Sequence, residues 1–371
     1  MTLRSFFRQT VTHSVGRVRP LLGAMNAGPK RMAYNTLRIA KIIQETPDAR
    51  SYVLEIPPEL AEKYRYRAGQ FLTFRVLHPE GAFNRCYSLS SAPELDAQPK
   101  VTVKRVEGGK GSNWFHDALA EGGTLDVLPP AGRFVLGEGD APLLLFGGGS
   151  GITPMMSLIK SALKVGNRRI RLFYANRDKP SVIFDAEFEA LSAAHPGRLE
   201  VVHHLDAEQG LTSADEVRAA MAGFEGAEAY LCGPGPFMSL VEDTLLGAGM
   251  PRERVRLERF EASDNDAVPI EPAQEGEVIP SAITIHFEGK AHKVAYAKGQ
   301  TVLEAARKAG LNPLSSCEEG FCASCAAKRI KGRIVLAKND IYTDDDLAND
   351  WILTCQAHCF GPEVEITYDV V

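Results

Sequence analysis

Residues 143–158 read LLLFGGGSGITPMMSL. The apolar run from Leu143 reads as a short buried strand, and Gly147 to Gly151 as a tight turn. Thr153 reads as the N-cap of a helix and Pro154 as its first residue. The order is not G-x-G-x-x-G, but the mechanics are the same: backbone amides and a helix dipole face an anion. Working outward, "RIRLFYA", "LEVVHHL" and "EAYLCG" are further short buried strands. The helical stretches "MMSLIKSALKVG" and "DAEFEALSAAH" separate them. Strands alternating with helices predict an α/β domain with a parallel sheet over residues 139–260.

Upstream the pattern changes. "SYVLEI", "QFLTFRVL", "KVTVKRV" and "TLDVLPP" are short β-rich runs between Gly, Pro and polar turns. They predict an antiparallel β-barrel or sandwich over residues 35–138. Downstream, residues 261–281 are acidic, Pro-bearing and poor in aromatics, the composition of a linker. Residues 282–371 make a third unit: two short strands, a helix at "TVLEAARKAG" ended by Gly310, a cysteine loop and a last strand "EVEITYDV".

The bulk numbers fit this division. A chain of 371 residues holds two or three domains, and 44% hydrophobic with 24% charged residues is a globular composition. A net charge of −5 argues against a nucleic-acid binder. No apolar run approaches the ~18 residues of a membrane span. Seven cysteines, most of them clustered, fit metal binding in a reducing, cytoplasmic compartment better than a disulfide scaffold. Residues 1–34 form a basic extension that carries Arg4, Arg8, Arg17 and Arg19, and no acidic residue precedes Glu45. They read either as a basic amphipathic segment that touches a membrane surface or as an unstructured start.

The cysteines sharpen the picture. "CEEGFCASC" spans Cys317 to Cys325, and "ILTCQAHC" adds Cys355 and Cys359. A structural zinc site commonly shows two CxxC pairs or a Cys/His mix, and here only Cys322 and Cys325 form such a pair. The order C-x4-C-x2-C…C is the plant-type [2Fe–2S] pattern. Gly320, Ala323, Ser324 and Ala326 are small enough to let backbone amides approach sulfur. Spacing alone leaves the fourth ligand open between Cys355 and Cys359.

Two more stretches carry chemistry. "RCYSLSSAP" runs from Arg85 to Pro93, and "GGKGSNWFHDAL" from Gly108 to Leu119. The glycines allow close backbone approach, and Ser112 or Asn113 can cap a helix starting near Trp114. A helix N-terminus behind a glycine turn binds a pyrophosphate, and Arg85 can add a bidentate clamp.

The order R-x-Y-S, G-x-x-S, G-G-G-S-G-I-T-P and C-G-P-G-P-F-M resembles the ferredoxin–NADP⁺ reductase superfamily. With a plant-type ferredoxin at the C-terminus, the chain is similar to the reductase components of bacterial oxygenases. Within these it most resembles the reductases of 3-ketosteroid 9α-hydroxylases, over about residues 35–371.

That resemblance implies a flavin β-barrel, an α/β domain for NAD and a β-grasp ferredoxin. It implies that Arg85, Gly109, Gly111 and Ser112 bind the flavin diphosphate, so FAD is expected and FMN is the alternative. Tyr87 would stack on the flavin and Ser88 would face its N5. Gly148, Gly149, Gly151 and Thr153 would hold the nucleotide. Cys232, a neutral thiol, would sit where the nicotinamide meets the flavin, and Glu258 and Phe260 would lie near the flavin ring. Asp178 favours NADH by repelling a 2′-phosphate, whereas Arg177 points to NADPH. The cluster ligands would be Cys317, Cys322, Cys325 and Cys355, leaving Cys359 outside. The expected partner is a terminal oxygenase, of Rieske type. A membrane di-iron desaturase or hydroxylase, an aromatic-compound oxygenase and a non-turnover redox sensor stand as alternatives.

Overall fold

The computed structural model describes residues 34–260 and 278–369, apart from positions 80, 133, 316, 317, 319, 321–323, 340, 341 and 343. The expectations for residues 1–33, for the linker over 261–277, and for Cys317 and Cys322 fall outside the described residues. No described helix is long and apolar enough to cross a membrane.

Six antiparallel strands come first: β1 (Asn35–Thr46), β2 (Ala49–Glu55), β3 (Phe71–His78), β4 (Gly81–Ser88), β5 (Lys100–Lys104) and β6 (Thr124–Val127). Their order is β4-β3-β6-β1-β2-β5, and a bridge between Leu89 and Val101 joins the two edges. The sheet is therefore closed, which leaves no unpaired edge. Alternation sends Leu37, Ile39, Tyr52, Leu54, Phe74 and Val103 inward. Helix α1 (Lys110–Ala118) lies between β5 and β6 and plugs the barrel with Phe115. The Phe115 ring meets Phe74 edge-on at 5.2 Å and Tyr87 at 4.8 Å.

The chain then alternates. It runs through β7 (Leu143–Gly148), α2 (Ile152–Val165), β8 (Ile170–Asn176), α3 (Asp185–Ala194), β9 (Leu199–Leu205), α4 (Asp206–Gln209), α5 (Ala214–Met221), β10 (Glu228–Cys232), α6 (Gly235–Gly247) and β11 (Val255–Glu258). All five strands are parallel in the order β11-β10-β7-β8-β9. The order reverses between β7 and β10. In open parallel sheets the crevice beyond the strand C-termini at such a reversal is where ligands bind. Three buried residues of the barrel part, Ala49, Ala68 and Phe134, belong to the same apolar core as α2 and β7.

The third part contains β12 (Ala282–Phe287), β13 (Lys290–Ala295), α7 (Val302–Lys308), β14 (Ala326–Leu336), α8 (Asp344–Ala348), β15 (Trp351–Leu353) and β16 (Ala357–Thr367). The sheet order is β13-β12-β16-β14-β15, with β12 and β16 parallel and the other pairs antiparallel. With α7 packed on the sheet this is a β-grasp. Thr301 and Glu304 cap each other's backbone at the start of α7, and Gly310 closes it with φ +78°. The Asn84 side-chain amide of β4 donates to the Ser315 carbonyl, so the barrel meets the segment leading to the cysteine loop.

Candidate functional site

Two loops meet where the parallel sheet reverses. The glycine turn after β7 packs on the Cys232–Gly233 peptide after β10. A Cβ at Gly151 would lie 2.1 Å from the Cys232 carbonyl oxygen and 2.7 Å from the Gly233 nitrogen. Only glycine lets these loops close, because real Cβ atoms essentially never approach so near. The start of α2 lies at this crevice with the positive end of its dipole; the Ile152 N–H is taken up within the 3-10 turn and Pro154 carries none.

The helix starts earlier than its residue signals suggest. Thr153 is not the N-cap: Gly151 is, after one 3-10 turn over Gly149–Gly151. The Thr153 hydroxyl donates to the Ser150 carbonyl at 3.1 Å. Pro154 accordingly falls within the first turn and not at its first position. The backbone contact at Gly151 sets the start, so no side-chain cap is needed.

The same correction applies to α1. Its N-cap is Gly109, with neither Ser112 nor Asn113 capping a later start. The Ser112 hydroxyl, inside the first turn, accepts from the Val106 N–H at 3.0 Å. Gly111 lies under Arg85: a Cβ there would stand 2.8 Å from the Arg85 Cγ. The Arg85 stem thus crosses the helix start and brings a cation beside it, its Nη1 donating to the Asn84 carbonyl at 2.8 Å. That arrangement suits a diphosphate. Tyr87, next but one on β4, presents a ring wedged against Phe115 and Phe74. Burial raises its phenol well above the usual range, so it remains protonated.

The residues expected to meet the redox centres come together where the barrel touches the α/β part. Ser88, 3% exposed at the end of β4, donates from Oγ to Glu258 Oε2 at 3.2 Å. Glu258 ends β11 in register with Cys232, which ends β10. Cys232 is fully buried. Burial, with the Glu258 carboxylate adding to it, pushes its thiol well up. Both effects favour the protonated, uncharged thiol. Phe260, two residues beyond Glu258, is half exposed at 47%.

Two features escaped the sequence reading. Lys104 of β5 reaches across from the barrel, its Nζ 4.0 Å from the Cβ position of Gly149, so a cation faces the glycine turn. "KVTVKRV" gives no sign of this. Asp178 also shapes its own loop. Its carboxylate caps the turn over Lys179–Ser181, accepting from the Ser181 N–H at 3.0 Å, while pairing with Arg177 at 2.9 Å. The hydrogen bond from Arg177 holds the carboxyl below its usual range.

In the third part, Cys325 and Cys355 share one buried cluster with Leu303, Tyr342, Trp351 and Leu353. Thr354 ties their two segments, its hydroxyl donating to the Cys325 carbonyl at 2.9 Å. Cys359 belongs to the other core, with Ile283, Ala305 and Ile366. Its N–H donates to the Tyr296 hydroxyl at 2.9 Å, and burial pushes its thiol up to about 12. Glu318 is held by residues outside its own segment. Arg307 of α7 forks onto Glu318, and the Gln356 amide donates to the Glu318 carbonyl at 2.7 Å.

Known proteins divide along the same lines. A model of the oxidoreductase FAD-binding domain matches residues 36–136, one of the oxidoreductase NAD-binding domain residues 145–243, and one of the 2Fe-2S iron-sulfur cluster binding domain residues 285–359. Together they define an electron-transfer flavoprotein with NAD, FAD and [2Fe–2S] sites in one chain. The ferredoxin reductase component of 3-ketosteroid-9-alpha-monooxygenase from Rhodococcus rhodochrous is 42% identical over 337 residues, 90% of this chain and 96% of the relative. The same component from Mycolicibacterium smegmatis is 41% identical over 340 residues, with the same shares of each chain covered. The solved structure of phthalate dioxygenase reductase, 26% identical, superposes with a TM-score of 0.59 over 90% of this chain and 98% of its own. The chain belongs to the family of ferredoxin reductase components of 3-ketosteroid-9-alpha-monooxygenases.

Proposed function

We propose that this chain takes electrons from NADH and delivers them to the oxygenase component of a 3-ketosteroid 9α-hydroxylase, of Rieske type. The observation that carries the redox half is the convergence of Ser88 of the barrel with Glu258 and Cys232 of the α/β part, where the glycine turn closes on the Cys232–Gly233 peptide. The steroid half rests on the names of relatives at 39–42% identity.

Bound FAD would supply the chemistry that links a two-electron hydride donor to a one-electron cluster. The protein's own residues supply the geometry. Arg85 and the α1 start, with Gly109, Gly111 and Ser112, hold the flavin diphosphate. Tyr87 supports the ring, and Ser88, its hydroxyl proton held by Glu258, turns an oxygen lone pair toward N5. Phe260 covers the ring. Gly148, Gly149 and Gly151, the backbone of Thr153, and Lys104 hold the nucleotide phosphates. Cys232 bounds the nicotinamide pocket as an uncharged wall and excludes water there. Cys317, Cys322, Cys325 and Cys355 hold the cluster, supported by the burial of Cys325 and Cys355 in one pocket and of Cys359 in another. Asp178 disfavours a 2′-phosphate, which supports NADH over NADPH.

The test is reconstitution. The purified chain, a 3-ketosteroid 9α-hydroxylase oxygenase component, NADH and a 3-ketosteroid should give NADH consumption matched by hydroxylated steroid. Reduction of an artificial one-electron acceptor without any steroid product would leave the reductase and remove the steroid partner. An absence of both would remove the reductase reading.

A further inference from the structure

Helix α2 is apolar and buried along most of its length but carries one polar stripe. Ser157, Lys160 and Ser161 stand at i, i+3 and i+4, which puts them on one side of the helix. Lys160 is only 8% exposed. A lysine so buried needs charged partners, and it has two from different elements. Its Nζ lies 2.9 Å from Asp96 in the loop after β4 and 3.0 Å from Glu187 on α3. Ser157 donates from Oγ to the Ser91 carbonyl at 2.5 Å, and Ser161 to Glu94 at 2.6 Å. Apart from the Gly69 N–H, which donates to Ser157 Oγ at 3.4 Å, the partners from the barrel lie in the segment that runs on directly from Ser88. That segment is itself braced: the Ala92 N–H donates to Asp96 at 2.6 Å, and Ser91 and Tyr66 share a hydrogen bond of 2.7 Å.

The two elements joined by the stripe each begin at a cofactor site. Helix α2 begins at the glycine turn for the nucleotide. The braced segment begins at Tyr87 and Ser88, on the flavin side. We propose that the stripe is a positioning device that sets the separation of nicotinamide and flavin, with Lys160 as its positioning residue. The inference rests on the cofactor assignments made above. Burial alone would lower the Lys160 pKa, but Asp96 and Glu187 outweigh it and raise the value, so the lysine is charged when it makes these contacts. Hydride transfer needs the reacting atoms about 3–3.5 Å apart, and a shift of about 1 Å can cost about a hundredfold. A helix freed to slide on the barrel would make that error without losing its nucleotide.

The experiment uses FAD-loaded Lys160→Met under anaerobic stopped-flow conditions. The limiting rate of flavin reduction at saturating NADH should fall by about 10- to 100-fold. Affinity for NAD⁺ should change little, and reduction by dithionite, which needs no nicotinamide geometry, should keep its native rate. A native limiting rate with only a lower melting temperature overturns the proposal, since that is what an ion pair of purely structural value would give. Should Lys160→Met fail to fold, Asp96→Asn and Ser161→Ala each remove one arm. Native limiting rates in both overturn the proposal, and a smaller fall in both supports it. Ser88→Ala tests the underlying assignment separately. If Ser88→Ala slows reduction and Lys160→Met does not, the positioning role alone fails; if Ser88→Ala has no effect, the site assignment fails.

Discussion

Replacing Gly151 by alanine tests the meeting of the two loops with one added carbon. The glycine has φ −62° and ψ −6°, ordinary helical values, so alanine meets no backbone strain. The penalty is steric. The new Cβ would lie 2.1 Å from the Cys232 carbonyl oxygen and 2.4 Å from its carbonyl carbon. Both neighbours are backbone and cannot swing aside. Restoring ordinary contact requires the turn and the Cys232 loop to part by about 1 Å, a displacement worth about a hundredfold in rate, or about 2.7 kcal/mol of barrier. Overpacking should also cost about 1–3 kcal/mol of stability. Gly247 is the control. It is the exposed last residue of α6, with nothing within 4 Å of a Cβ. Gly247→Ala should fold as well as native or better, since alanine in a helix is favoured over glycine. The assay is anaerobic stopped-flow reduction of bound flavin by NADH, with thermal melting alongside. If Gly151→Ala reduces its flavin at the native rate with native NADH affinity, the two loops do not form the nucleotide site and the reasoning fails.

Other outcomes follow from the same geometry. Cys355→Ser should lose the visible and EPR signals of the cluster while retaining FAD, and Cys359→Ser should keep both, losing about 1–3 kcal/mol of stability from a buried hydroxyl; the reverse pattern would exchange the two roles. Asp178→Asn keeps a capping side chain and removes the charge, so the kcat/KM preference for NADH over NADPH should narrow severalfold without a loss of melting temperature. A native preference for NADPH would contradict the role given to Asp178. His116, His203 and His358 all have pKa values lowered chiefly by burial. Below about pH 6.5 the unfolded chain takes up protons that the folded chain refuses, so stability is full above that pH and is lost as pH falls. The melting temperature should therefore drop between pH 7.5 and pH 5, and a flat profile would show these histidines to be accessible.

What the sequence disclosed and what it hid divide along physical lines. Strand and helix alternation, the glycine turn and the cysteine spacing are local, and each was readable from a short window. The start of α2 was misplaced because Thr153 and Pro154 look like start signals, whereas the start is set by Gly151 against Cys232, 81 positions away. The start of α1 was hidden in the same way by Ser112. Strand β14 has Lys328 and Arg329 at half-buried positions and Lys331 and Arg333 at exposed ones, so no apolar alternation marks it. The Ser88–Glu258 hydrogen bond joins residues 170 apart. Lys104 and the glycine turn likewise meet only through the fold. The Ser157–Lys160–Ser161 stripe was visible as three polar residues on a buried helix, but its partners were not.

The central claim is that electrons pass from NADH through the flavin site to the cluster held by the C-terminal part of the same chain. Rapid-freeze EPR tests it most directly. The anaerobic holoprotein is mixed with one equivalent of NADH and frozen at successive times, and the flavin absorbance is followed in parallel. The expected result is a reduced [2Fe–2S] signal that grows after the flavin absorbance falls, in native protein and not in Cys355→Ser, where the flavin should still be reduced. A flavin that is fully reduced while the native cluster stays oxidised, with no EPR signal at any time, would contradict the account.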